Sequence, residues 1–133
     1  MKYMLDTNIC IYIIKQKPLR VLKRFKEYSP GDILISSITL AELRYGAEKS
    51  LHVKQNLDAL SGFIIPLEIV PFDERAADEY GKVRMRLEKA GQPIGSMDML
   101  IGAHALSLGL TMVTNNTKEF RRIKRLKVEN WTK

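Results

Sequence analysis

The chain has 133 residues, 45% of them hydrophobic, with 22 basic against 15 acidic side chains and hence a formal charge of +7. That size and apolar content suit one sizeable core, and a lone cysteine, Cys10, excludes an internal disulfide framework. No apolar run approaches membrane-spanning length and Asp6 interrupts the place of a secretory leader, so a soluble, cytoplasmic protein with one domain over residues 1–133 is expected, its positive excess directed at a polyanion.

Tyr3, Met4 and Leu5 read as a first strand that ends in Asp6, and the polar pair Thr7-Asn8 precedes an apolar run in which the Cys10 thiol should be buried. An acid-free basic stretch follows, with Lys15, Lys17, Arg20, Lys23, Arg24 and Lys26, for which Leu19, Val21, Leu22 and Phe25 supply a core-facing side. Residues 33–35 form the second strand. Ser36-Ser37 then leads into a helical pair over residues 40–47 and 53–63, the first placing Glu42 in its opening turn.

A third strand is expected at residues 69–72. Residues 73–89 follow as a helix with acids at its start and Arg84, Arg86 and Lys89 at its end, the order that the helix dipole favours, and Gly91 and Pro93 stop it. A helix over residues 97–108 has an apolar stripe of Met97, Leu100, Ile101, His104 and Leu108; Asp98 sits in its first turn, with Gly102 leaving room beside it. Residues 110–113 form a fourth strand, followed by the polar turn Thr114-Asn115-Asn116-Thr117, Glu119, and a second basic cluster from Lys118 to Lys127. A weak fifth strand lies near residues 127–129. Strands alternating with helices predict an α/β fold, a three-layer α/β/α sandwich around a mainly parallel sheet of about five strands.

In such a sheet ligands bind beyond the carboxyl ends of the strands, where Asp6, Glu42, Asp98 and Glu119 are all expected. Each acid has a structural explanation: Thr39 to Glu42 and Asn116 to Glu119 read as capping boxes, and Asp98 favours a helix dipole. Only their joint placement overrides these. Converging carboxylates repel one another, which raised pKa values or a bound cation relieves, and an all-carboxylate set selects a hard ion, Mg²⁺ first and Mn²⁺ next. His104 reads as a core residue and His52 as a surface one, so zinc is disfavoured.

Met4-Leu-Asp6-Thr-Asn8, the run from Ser36 to Leu43, Gly95-Ser-Met-Asp98 through Ala105, and Val113-Thr-Asn-Asn116 through Phe120 together resemble the PIN-domain nucleases, more narrowly the VapC-type toxins of toxin–antitoxin pairs. The resemblance runs from Met4 to Trp131. It implies a homodimer and a Mg²⁺- or Mn²⁺-dependent endoribonuclease site in which Asp6, Glu42 and Asp98 bind metal. Asn8, Thr114 and Asn115 fall on supporting positions, Asn116 stands where many relatives carry aspartate, and Glu119 is the candidate fourth acid.

The resemblance also implies structured RNA substrates, tRNA and initiator tRNA among them, and a cognate antitoxin that covers the cleft and carries the complex to promoter DNA. Lys15, Lys17, Arg20, Arg44, Arg121 and Arg122 are the candidates for RNA contact, with Tyr45 or Trp131 as a base-stacking ring, although core packing suits Trp131 better. Hydrolysis by a metal-activated water would leave 5′-phosphate and 3′-hydroxyl ends. The competing readings are a non-catalytic RNA-binding or regulatory module whose acids are only caps, and an aspartate-dependent phosphotransferase, for which this chain has Asn8 where a second aspartate is needed.

Overall fold

A computed structural model describes residues 2–133. Five short strands, β1 (Tyr3–Leu5), β2 (Ile33–Ser36), β3 (Glu68–Val70), β4 (Thr111–Val113) and β5 (Lys127–Glu129), pair in parallel in the order β3-β2-β1-β4-β5. Parallel pairing requires crossovers, and helices supply them. α1 (Thr7–Lys15) and α2 (Leu19–Lys26) join β1 to β2, and α3 (Ser37–Glu48) and α4 (Val53–Ile64) join β2 to β3. α5 (Glu74–Lys89) and α6 (Ser96–Ser107) join β3 to β4, and the short α7 (Thr117–Phe120) joins β4 to β5.

The period of two along a strand divides the core into two layers. Met4, Leu34 and Met112 point to the side of α5 and α6, where Val83, Leu87, Met99, Ile101 and Phe120 cover them. Tyr3, Leu5, Ile33, Ile35 and Val113 point to the opposite side, against Ile9, Val21, Leu43, Leu60 and Trp131. The three-layer expectation therefore holds.

Departures from the expected elements have local causes. β3 is one residue early and stops at Val70, because Pro71 has no N–H for the ladder; the Phe72 amide donates instead to Ser37 Oγ at 3.0 Å. The expected stripe of α6 fails at both ends, Met97 and Leu108 being exposed. Small residues decide its burial: Gly102, Ala103 and Ala105 are all buried, and a Cβ on Gly102 would meet Ile123 Cδ1 at 2.5 Å. The room left by Gly102 thus belongs to Ile123 and Phe120, not to Asp98. Leu19, at the first position of α2, is exposed rather than core-facing, whereas Val21 is fully buried. Trp131 is also fully buried, stacked on Tyr28 at 5.5 Å with Arg24 over its ring, so it has no face for a base. Tyr45 is exposed.

The chain runs outward from β1 through β2 to β3, then returns to the other side of β1 for β4 and β5. That reversal puts a topological switch point between the carboxyl ends of β1 and β4, where an open parallel sheet forms its ligand crevice.

Candidate active site

Asp6 and Thr114 are the first residues beyond β1 and β4, so they flank this switch point directly. The Asp6 amide still belongs to the sheet, donating to the Val113 carbonyl at 2.9 Å. Its side chain is buried, and both carboxylate oxygens are engaged: Oδ1 accepts from the Thr7 amide at 2.8 Å and Oδ2 from the Thr114 hydroxyl at 2.7 Å. The Thr114 oxygen in turn accepts from the Asn116 amide at 2.9 Å, fixing the start of the following turn. Burial raises the Asp6 pKa, the two hydrogen bonds lower it, and the charge of Glu42 raises it further, with a net upward shift.

Glu42 arrives from the β2 side. α3 begins earlier than expected, with Ser36 as its N-cap accepting from Ile38 N at 3.0 Å, so Glu42 falls in the second turn and Thr39 is buried. The capping-box explanation of Glu42 is therefore excluded. Its Oε1 instead accepts from the Thr7 hydroxyl at 2.6 Å, so Thr7 touches two acids, one through its amide and one through its hydroxyl. Sequence reasoning missed Thr7, although its place directly after a strand-ending aspartate was the available signal. Ser36 is held from a second direction by His104, whose Nδ1 lies 2.8 Å from its Oγ in the core, as expected of a buried histidine.

Asp98 and Glu119 arrive from the β4 side. Asp98 lies in the first turn of α6, half-buried, and Glu119 lies in α7. Asn116 precedes α7 but caps none of its amides; its Nδ2 donates to Glu119 Oε2 at 2.7 Å and Asp98 Oδ2 at 3.2 Å. The second capping-box explanation fails in the same way. Burial first, then the charge of Asp6, then hydrogen bonding and charge from Glu119 push the Asp98 pKa up to about 7, against a lowering contribution from Asn116. A carboxyl held there carries a proton part of the time at neutral pH.

Among the described residues, the other expected positions make no hydrogen bond to the four carboxylates. Asn8 is exposed on the first turn of α1, and Asn115 is exposed with its amide donating to Tyr12 Oη at 3.1 Å. Lys15, Lys17, Arg20, Arg44 and Arg121 are exposed, and Arg122 donates to the Pro93 carbonyl at 2.9 Å.

Among the described residues no salt bridge reaches Asp6, Glu42, Asp98 or Glu119, and no three acids, histidines or cysteines form a ready-made metal cage. The donor set is nonetheless all oxygen, mutually repulsive and without a protein counter-cation. That chemistry fits a hard divalent cation that keeps part of its water shell, and it does not fit zinc, because Cys10 is buried under the sheet.

Comparison with known proteins is consistent with this arrangement. Residues 3–126 match the PIN domain family model. The chain is 46% identical to the tRNA(fMet)-specific endonuclease VapC of Shigella flexneri over 132 residues, 99% of each chain. It superposes with a TM-score of 0.93 on a chain of the DNA-bound VapBC structure from Salmonella typhimurium, 47% identical and covering 98% of each chain. A second chain, from Rickettsia felis VapBC2 bound to a DNA fragment from its promoter, gives a TM-score of 0.93 at 45% identity, covering 98% of this chain and 99% of that one. A strand-ending aspartate at the switch point, with acids brought to it from both neighbouring strands, is thus set in a fold shared over almost the whole length, and the chain belongs to the PIN-domain family.

Proposed function

We propose that this PIN domain is the toxin of a VapBC-type pair, a metal-dependent endoribonuclease that cuts structured RNA, tRNA and initiator tRNA in particular, and so stops translation. The observation that carries the reading is Asp98 beside Asp6 at the switch point, with its pKa pushed up to about 7 and no protein cation to relieve it. Support also comes from the full-length similarity to a tRNA(fMet)-specific endonuclease.

Asp6, Asp98 and Glu42 would hold the cation, Mg²⁺ or Mn²⁺, with Glu119 as a fourth acid. When bound, it would supply positive charge against the phosphodiester and lower the pKa of nearby water. The chain's own residues do the rest. Thr114 and Thr7 lower the Asp6 pKa against its burial and aim its oxygens, the Thr7 hydroxyl holds Glu42, and the Asn116 amide bridges Asp98 and Glu119. Attack by water at phosphorus with departure of the 3′-oxygen does not use the 2′-hydroxyl and leaves 5′-phosphate and 3′-hydroxyl ends.

The assembly that goes with this reading is a homodimer in the cytoplasm, each cleft covered by a cognate antitoxin, with promoter DNA bound through that antitoxin; the DNA-bound VapBC structures support the pairing with an antitoxin and DNA. Expression of wild type and Asp98→Asn in a bacterial host, with RNA ends sequenced afterwards, tests the reading. Growth arrest with one dominant cut, absent in the variant, is expected. Arrest without RNA cleavage would refute it, and so would cleavage by purified protein that persists in EDTA.

A further inference from the structure

A groove of about 430 Å³ lies between the last turns of α5 and the segment that follows α7, the helix that carries Glu119. Its rims are Arg86 and Lys89 on one side and Arg122 and Lys124 on the other, over an apolar floor that includes Leu87 and Ile123. Arg86 and Lys89 are three residues apart and share a helix face. No acid lines the groove, and among the described residues no salt bridge involves any of the four cations. Four positive side chains lining one groove without a salt-bridge partner are complementary to a polyanion.

The groove is tied to the acids by covalent and hydrogen-bonded connections. The Arg122 amide donates to the Glu119 carbonyl at 3.0 Å, one turn away, and the Arg122 guanidinium is pinned to Pro93 O at 2.9 Å. Pro93 belongs to the loop that delivers Asp98, and Ile123 packs where Gly102 leaves space one turn beyond it. The negative end of α5 does not spoil the groove. Gln92 N donates to Leu87 O at 2.9 Å and Gly91 N to Glu88 O at 3.1 Å, with Gly91 left-handed, so these carbonyls are already satisfied.

We propose that this groove seats the sugar-phosphate backbone of the RNA strand flanking the cut, with Arg86, Lys89, Arg122 and Lys124 as positioning residues that touch phosphate and not the scissile bond. The proposal rests on the ribonuclease reading. The basic face of α2 is the contrasting case: Arg24 there is already spent on Glu129 and Glu27, and Leu19 lies exposed among the remaining cations.

The test compares two doubly neutralised proteins with the same net charge, Lys89→Ala/Lys124→Ala in the groove and Lys23→Ala/Lys26→Ala on α2, using the RNA whose ends were sequenced. The groove pair should raise KM about tenfold with kcat unchanged, the signature of lost uniform binding. In EDTA, its affinity for the same RNA should lose between one and two units of log–log salt slope, about one per phosphate contact removed. Mn²⁺ affinity and thermal stability should stay as in wild type, and the α2 pair should change neither KM nor slope. Equal effects from both pairs, no effect from either, or a fall in kcat at constant KM would overturn the proposal. Loss of antitoxin affinity with RNA affinity intact would reassign the groove to a protein partner. Absence of RNA cleavage by wild type would instead refute the nuclease reading, while the salt slope would still report on the groove.

Discussion

The two sides of the acidic cleft place the same kind of side chain in opposite states of preparation. On the β1 side, Asp6 is buried but has a donor for each oxygen, and Thr7 ties it to Glu42. On the β4 side, Asp98 is half-buried, shares a single amide with Glu119, and is held at a pKa of about 7. Burial is the largest cause of the upward shift on both sides, and the partners around each acid set the contrast. Hydrogen bonds from Thr7 and Thr114 offset part of the burial of Asp6, whereas Asp98 adds the charges of Asp6 and Glu119 to its burial against one opposing amide.

Asp6→Asn and Asp98→Asn should break this comparison most visibly. Each should lower RNA cleavage by two to three orders of magnitude, on the order of what is lost with a group that acts on transition-state charge. Their metal-free stabilities should part. Asp98→Asn removes a repelled carboxylate and should raise Tm at pH 8. Asp6→Asn sets an amide against the Thr7 N–H or the Thr114 hydroxyl, which offsets its gain, so its Tm should rise less or fall. Thermal melts in EDTA check the order; a larger rise for Asp6→Asn would reverse the assignment of the two corners.

Thr114→Val tests the organised side without touching an acid. It removes the 2.7 Å donor to Asp6 and the 2.9 Å acceptor for the Asn116 amide, both around a fully buried hydroxyl. Stranding these groups should cost about 1–3 kcal/mol by urea unfolding. Divalent-ion affinity should fall about 10- to 100-fold, as for other groups that orient a ligand. Unchanged Mn²⁺ affinity would mean that Thr114 only closes the turn.

The pH dependence follows from the unprepared side. The Asp98 pKa is raised in the folded chain from 3.8 to about 7, so its contribution to stability is complete below the lower value and is lost as pH rises through the upper one. Metal-free wild type should therefore lose Tm relative to Asp98→Asn between pH 5 and pH 8. Mn²⁺ should bind more tightly over the same interval, as it displaces the proton. Parallel melting curves for the two proteins would contradict the raised pKa.

The acids were legible because Asp6, Glu42 and Glu119 each follow a short apolar run and Asp98 sits in the first turn of a helix, so local pattern alone placed them near one edge. The links among them were not. Thr7 and Glu42 are 35 residues apart and meet only because β2 pairs beside β1. Asn116 read as a helix cap, and it is the tertiary approach of α6 that turns its amide toward Asp98. The burial of α6 was misread for a related reason: an apolar stripe counts large side chains, whereas close packing against Ile123 demands small ones. In the same way α3 starts where Ser36 can serve both Ile38 and His104, a choice that depends on a residue 68 positions away.

Asn116→Asp should have the smallest effect and discriminates most finely between the two sides. The wild-type amide is a neutral donor that bridges Asp98 and Glu119. An aspartate there replaces both hydrogen bonds by repulsion among three acids, so the metal-free protein should lose about 3 °C in Tm, the scale of a change near 1 kcal/mol in a domain of this size. The same extra charge should tighten Mn²⁺ binding and shift it to higher pH, because more protons must leave. A variant with lower Tm and weaker Mn²⁺ binding would show that Asn116 orients ligands in a way charge cannot replace. One with unchanged Tm would show that its two hydrogen bonds hold nothing, and that the β4 side is set by Asp98 and Glu119 alone.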